Sequence, residues 1–400
     1  MSHARKDRGL IALMMSLIVL TPMGVDIFLP SLPILARDFA LDTEHLRWSI
    51  TLYLISMGAG QVLIGPLVDG LGRRRIAIAG ALLYGMAATL CLLADHLMLF
   101  YGGRLLQGLG ASMATVVAFS CVRDRFNGEH RAGIYSFLNA AVCVIPALAP
   151  LLGSLLASLW HWRATFVFMA IFALLVTLAC ARWLEETMPE AGCSVRPSYH
   201  PKGFLEILSD RRFLFYALVA MTGMTAILIY VTTAPILLMD QAGLSEMAFG
   251  SWFGMVAALN VVAYFLAPRL ISRLGQRGAI HAGLSIMMAG GAAHGLTVMA
   301  SSGGVASFML CNALLVTGFS FTLGAALSLA LEPYAERAGM ASSLMGCLQM
   351  GGGALCASLM TLLPLSPQWM LALIGMGGAG VLLLTSLCYI PSREHSVPTG

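Results

Sequence analysis

Two ionisable residues stand deep inside apolar sequence. Asp26 lies in GVDIFLPSLP, residues 24–33, directly after the greasy run GLIALMMSLIVLTPM. Arg104 lies in GGRLLQGLGAS, residues 102–112. Placing either charge at the centre of a membrane helix costs about 2.5–3.5 kcal/mol on insertion scales, so such groups usually face a cavity or a partner. A carboxylate shielded from water is suited to reversible protonation, and a nearby arginine could hold it ionised. Arg104, Gln107, Gly108 and Ala111 recur at i, i+3, i+4 and i+7, which places them on one helical face. Behind Asp26 come Pro30 and Pro33. In a continuous helix residue 30 would donate to the carbonyl of residue 26. Pro30 has no N–H, so the backbone oxygen of Asp26 is expected to be free, and Pro33 does the same for Leu29.

The elements that must position these groups are membrane helices. Of 400 residues, 58% are hydrophobic and only 10% charged, against roughly 25% charged in soluble domains. A helix needs about 20 apolar residues to cross a bilayer. Twelve such runs are predicted, near 9–36, 46–69, 75–95, 98–121, 133–158, 162–184, 213–239, 246–270, 280–300, 304–330, 338–363 and 367–390. The basic start and first apolar run resemble a signal peptide, but no small-residue cleavage site closes a short run, so an uncleaved first span is expected. The longest polar stretch, 185–212, divides the chain into an N-terminal six-helix bundle (1–184), a linker (185–212), a C-terminal six-helix bundle (213–390) and a tail (391–400). Of the 23 Lys and Arg, three (Arg37, Arg47, Arg163) fall in alternate loops and one, Arg104, lies within a span. The other 19 fall on the side of the termini, which predicts both termini in the cytoplasm.

The halves echo each other. GPLVDGLGRRR (65–75) and PRLISRLGQRG (268–278) share Leu67/Leu270, Leu71/Leu274, Gly72/Gly275 and Arg74/Arg277, all 203 positions apart. RAGIYSFL (131–138) and RAGMASSL (337–344) lie 206 apart, and Trp162 and Trp369 lie 207 apart. Such repeats are common in transporters, with the substrate site at their interface. Other classes find little support. No H-E-x-x-H, G-x-S-x-G or phosphate-binding loop occurs, and the nine cysteines and nine histidines show no metal-ligand spacing. An enzyme is not expected, nor a metal, a cofactor or direct ATP drive. A net charge of +4 on so apolar a chain marks cytoplasmic loops rather than a nucleic-acid surface.

The 6+6 pattern and GPLVDGLGRRR resemble the major facilitator superfamily. GVDIFLPSLP, GRLLQGLGAS, CVRDRF, IPALAPLLGSLL and WRATFVF together resemble its bacterial twelve-span drug:proton antiporters, in the bicyclomycin- and chloramphenicol-resistance branch. The likeness runs over nearly the whole chain. It implies an all-α fold of two pseudo-symmetric bundles in the bacterial inner membrane. It also implies a gate loop of Gly65, Asp69, Gly72, Arg73 and Arg74 that latches the two halves, although Gly70 stands where the family often has a base. Asp26 and Arg104 become the proton-coupling pair. Pro146, Pro150 and Gly153 match the antiporter motif, with Ala149 and Ser154 where glycines are common.

The implied activity is proton-driven export of lipophilic neutral or cationic drugs, chloramphenicol-type compounds among them, by a monomer in the lipid bilayer. The proton gradient is the energy source. Substrate-cavity candidates are Tyr53, Gln61, Gln107, Asn139, Tyr230, Asn260, Asn312 and Gln349. The alternative is a proton-coupled importer of a small nutrient or sugar, which the apolar interior disfavours.

Overall fold

The computed structural model describes residues 3–41, 43–126, 128–187, 201–300 and 304–389. The side chains of Asp69 and Asn139 lie outside the described residues. The described chain is helical, without strands. The first six rods are α1 (His3–Asp26), α2 (Thr43–Leu71), α3 (Arg73–Leu92), α4 (Leu97–Arg125), α5 (Gly128–Trp160) and α6 (Arg163–Trp183). The second six are α7 (Arg211–Pro235), α8 (246–274), α9 (276–299), α10 (Val305–Leu331), α11 (338–360) and α12 (367–389). A short helix, Pro201–Ser209, occupies the end of the predicted linker.

The rods have the length and surface that a bilayer requires. The 21 residues of α6 rise about 31 Å, matching the hydrocarbon thickness. Its outer face shows Ile171, Leu174, Leu175 and Leu178. Trp160 closes α5 and Trp183 closes α6, each 67% exposed. These two helices are consecutive, so the indoles mark opposite ends of the bundle, as interfacial aromatics do.

The repeat is visible in the backbone. Gly72 (φ 93°) joins α2 to α3, and Gly275 (φ 73°) joins α8 to α9. Both adopt the left-handed region that glycine enters without steric cost. Burial repeats with period three. The most apolar windows of α1, α4, α7 and α10 are 61, 61, 78 and 56% buried, while the other measured spans reach 28–44%. Every third helix is thus an inner helix. Asp26 falls on α1, Arg104 on α4, Tyr230 on α7 and Asn312 on α10. The halves meet along α2 with α11 and along α5 with α8.

One sequence expectation is sharpened and one is corrected. The first span crosses as Asp7–Asp38 with the break that its prolines signalled. Its helix ends at Asp26, turns through a 3-10 segment at Leu29–Ser31 and resumes as Leu32–Asp38. Gly65, whose small size near the end of the second span suggests a close helix approach, makes none: α2 continues through Pro66 to Leu71, and a methyl at Gly65 would meet nothing within 4 Å.

Candidate functional site at the break in the first helix

The two prolines stop α1, and the stop exposes backbone oxygen. Ile27 N–H still reaches the Met23 carbonyl at 3.4 Å, but the helical ladder closes there. The carbonyl put to use is Gly24's, two residues before that of Asp26. Arg104 Nη2 donates to it at 2.6 Å. Arg104 Nη1 donates to Gln107 Oε1, and Nε donates to the Ser49 carbonyl at 3.4 Å. The guanidinium also lies 4.6 Å from the ring centres of Phe28 and Tyr53, where ring quadrupoles stabilise a cation. Tyr53 is held in turn by its hydroxyl, which donates to the Thr21 carbonyl at 2.8 Å. Gln107 Nε2 donates to Met169 Sδ at 3.5 Å.

Arg104 is fully buried, and its charge is answered by carbonyl oxygens and aromatic faces. Among the described residues it forms no ion pair with Asp26. The Asp26 carboxylate keeps 6% exposure and makes no hydrogen bond among the described residues. It lies within electrostatic reach of Tyr53 and of Tyr230 across the seam. Such a carboxylate, unclaimed by a salt bridge, is free to take and give a proton.

The α5 motif braces this break. Pro146 and Pro150 sit inside a helix that continues past both. A methyl on Gly153 would overlap the Ile27 carbonyl oxygen, so only glycine allows α5 to lie this close to α1. On the other side, the Pro150 carbonyl accepts from Ser154 Oγ at 2.7 Å, beside Gly250 of α8. The α5 segment 146–154 is thus wedged between the break in α1 and the second half.

The loop between α2 and α3 forms a network whose described bonds reach only the first half and the first residues of the linker. Arg73 Nε donates to Asp124 Oδ2 at 2.8 Å and Nη1 to the Val68 carbonyl at 2.7 Å. Glu186 accepts from the backbone N–H groups of Arg73 (2.9 Å) and Arg74 (3.2 Å), capping the start of α3. Arg74 Nη2 donates to the Ala181 carbonyl at 2.7 Å.

The cavity candidates separate. Tyr53 and Gln107 belong to the Arg104 network. Gln61 packs against Gly346 in the α2–α11 seam. Asn260 accepts from Ser320 Oγ, tying α8 to α10. Asn312 Nδ2 donates to the Phe308 carbonyl at 2.8 Å while its Oδ1 is buried without a partner. Gln349 is buried in the π-helical turn Cys347–Gly352. Tyr230 is stacked on Phe253 at 5.0 Å, its buried hydroxyl without a partner.

Sequence reasoning passed over three groups. Arg47, assigned to an outer loop, is only 7% exposed and lines a cleft between α2, α7 and α11. His294 is fully buried against Phe308, and Ser31 Oγ is buried without a partner. A lone histidine or serine in an apolar run carries no signal beyond packing; only the neighbours supplied by other helices single these out.

Twelve membrane-length rods in two matching halves, with ionisable and polar groups on the inner helices, define a membrane transporter. The chain belongs to the Major Facilitator Superfamily, whose family model matches residues 14–357. It is similar to Multidrug resistance protein MdtL of Klebsiella pneumoniae (strain 342), 32% identical over 378 residues that cover 94% of this chain and 95% of that protein. MdtL of Escherichia coli (strain K12) is also 32% identical, over 368 residues covering 92% and 89%. In fold it is similar to the xylose transporter XylE from E. coli in a partially occluded inward open conformation (TM-score 0.76, 14% identity, 97% and 99% covered). It is likewise similar to the human organic anion transporter MFSD10 (TM-score 0.70, 16% identity, 95% and 98% covered).

Proposed function

We propose that the protein is a proton-driven multidrug antiporter of the bacterial inner membrane, with both termini in the cytoplasm. It exports lipophilic neutral or cationic compounds, chloramphenicol-type drugs among them, by alternating access. The observation that carries this reading is Asp26, a carboxylate on an inner helix, unpaired among the described residues, at a break that the second half touches. The similarity to MdtL over nearly the full chain supports drugs as the cargo.

In this mechanism a proton from the far side neutralises Asp26 and displaces the drug. The halves then rock about the α5–α8 and α2–α11 seams. Release of the proton inward restores the carboxylate, which receives the next drug. Arg104 stays charged throughout and fixes the shape of the break through the Gly24 carbonyl. The proton gradient supplies the energy, without a cofactor, and the working unit is the monomer.

A drug-susceptibility panel in a pump-deleted host tests the reading. Wild type is expected to raise resistance to several lipophilic drugs, and Asp26→Asn to none. Equal protection by both would refute it. The fold is also that of a D-xylose–proton symporter (TM-score 0.75, 16% identity, 96% and 98% covered), so uptake of a sugar panel should be measured alongside. Several hydroxyls on the inner helices here, such as those of Thr225, Thr232, Thr233 and Thr322, bond their own helix carbonyls rather than face a sugar, and no uptake is expected.

A further inference from the structure

The repeat aligns the two helices that face each other across the seam. Pro30 and Pro235 are 205 positions apart, within the 203–207 spread of the other echoes. Asp26 and Tyr230, 204 apart, thus occupy corresponding places, each about one turn before its proline. Each proline also stands where its helix changes form: α1 gives way to a 3-10 turn, and α7 to a π-helical turn, Ile236–Gln241.

Tyr230 is an unusual occupant of such a place. It is 3% exposed, and its hydroxyl has no hydrogen-bond partner among the described residues. A buried orphan hydroxyl is costly, so it needs an acceptor in some state of the protein. The ring has little freedom to look elsewhere, being stacked on Phe253 and flanked by Phe308 at 6.3 Å. The Leu29–Ser31 turn packs on both α7 and α8, which brings the Asp26 break against this aromatic group. Asp26 is the acceptor this packing brings towards it: its carboxylate is unclaimed among the described residues, and its charge acts on Tyr230 at electrostatic range.

We propose that the Tyr230 hydroxyl is the second half's hydrogen-bond donor to ionised Asp26, directly or through one water. The bond bridges the halves when Asp26 is ionised and the cavity holds no drug. Protonation of Asp26 or arrival of a drug releases it. Tyr230 is thus a positioning residue that reports the proton load of the first half to the second. The ionisable groups around Asp26 are Arg104 of α4, Tyr53 of α2 and Tyr230 of α7; α5, α6 and α8 contribute none among the described side chains. Arg104 and Tyr53 already bond backbone carbonyls, which leaves Tyr230 as the available donor.

The proposal rests on Asp26 as the proton carrier, and one titration separates the two claims. Purified protein is titrated without drug while infrared difference spectra follow the protonated-carboxyl band that Asp26→Asn removes. In Tyr230→Phe the pH at which this band is half developed should rise by about one unit, because a hydrogen bond to a charged group is lost. In Tyr216→Phe, a buried tyrosine elsewhere on α7, it should not move. If no band is removed by Asp26→Asn, the proton-carrier reading itself fails. If the band is present but keeps its wild-type half-point in Tyr230→Phe, or moves equally in Tyr216→Phe, only the Tyr230 proposal fails. The tyrosine C–O band of the unmutated protein gives a second readout. It should change through the same titration and stay constant in Asp26→Asn; an identical change in both would contradict the proposal.

Discussion

The loop between the second and third helices exists twice, and the copies differ in chemistry rather than shape. Gly72 and Gly275 make the same left-handed turn. After the first turn, Arg73 enters an ion pair with Asp124, the two side chains 4% and 7% exposed. At the matching places, 203 and 204 positions on, Gln276 Nε2 donates to Ser328 Oγ at 3.0 Å on the surface. The inner helices repeat the contrast. The first half holds Asp26 and Arg104, and the second holds Tyr230 and Asn312 at or near the matching levels. The two copies share their geometry, while the buried Asp and Arg residues, Asp26, Arg47, Arg73 and Arg104, lie in the first half among the described residues. One half carries the charged machinery, and the other answers it with aromatic and neutral polar groups.

Three paired substitutions can break this contrast, the strongest first. Arg104→Leu strands the Gly24 carbonyl and Gln107 and removes the cation from between Phe28 and Tyr53. Hydrogen bonds to a charge contribute about 1.5–3 kcal/mol each, so transport should fall more than about tenfold and thermal stability should drop sharply. Asn312→Leu removes one bond and a buried orphan oxygen, so its melting temperature should stay close to that of wild type. Comparable losses from both would erase the asymmetry.

Arg73→Ala leaves Asp124 buried and unpaired by its main partner, at a cost of about 3–5 kcal/mol. Gln276→Ala loses one neutral hydrogen bond at a half-buried place and should cost only about 1 kcal/mol. Thermal unfolding of the two variants in one detergent compares them directly. The glycines give the smallest contrast. Gly72→Ala meets both a disfavoured φ and Glu186 Oε2, 2.6 Å from the new methyl, for about 1–3 kcal/mol. Gly275→Ala meets only the φ, with nothing within 4 Å, for about 1 kcal/mol. Equal melting temperatures would assign the whole effect to φ and none to the Glu186 cap.

The reach of the sequence follows the range of the interactions. Span positions, the six-plus-six division and the Gly72/Gly275 turns depend on local hydropathy and backbone preference, and they were legible. So was the isolation of Asp26 and Arg104 in apolar runs. Pro30 signalled a break, but its place was decided by the 3-10 turn and by Arg104 reaching over from α4. That Arg104 binds a carbonyl rather than a carboxylate, that Gln61 lies in a seam, and that Arg47 is buried all depend on residues dozens to hundreds of positions away. Asn260 read as a cavity group for the same reason; its partner Ser320 lies two helices on.

The proposed function turns on Asp26 exchanging protons against drug. Its most direct test is drug–proton exchange in reconstituted vesicles under an imposed pH gradient, wild type against Asp26→Asn. Wild type should move drug against its gradient and release protons in return, while Asp26→Asn should carry out neither. Full exchange by Asp26→Asn would contradict the claim.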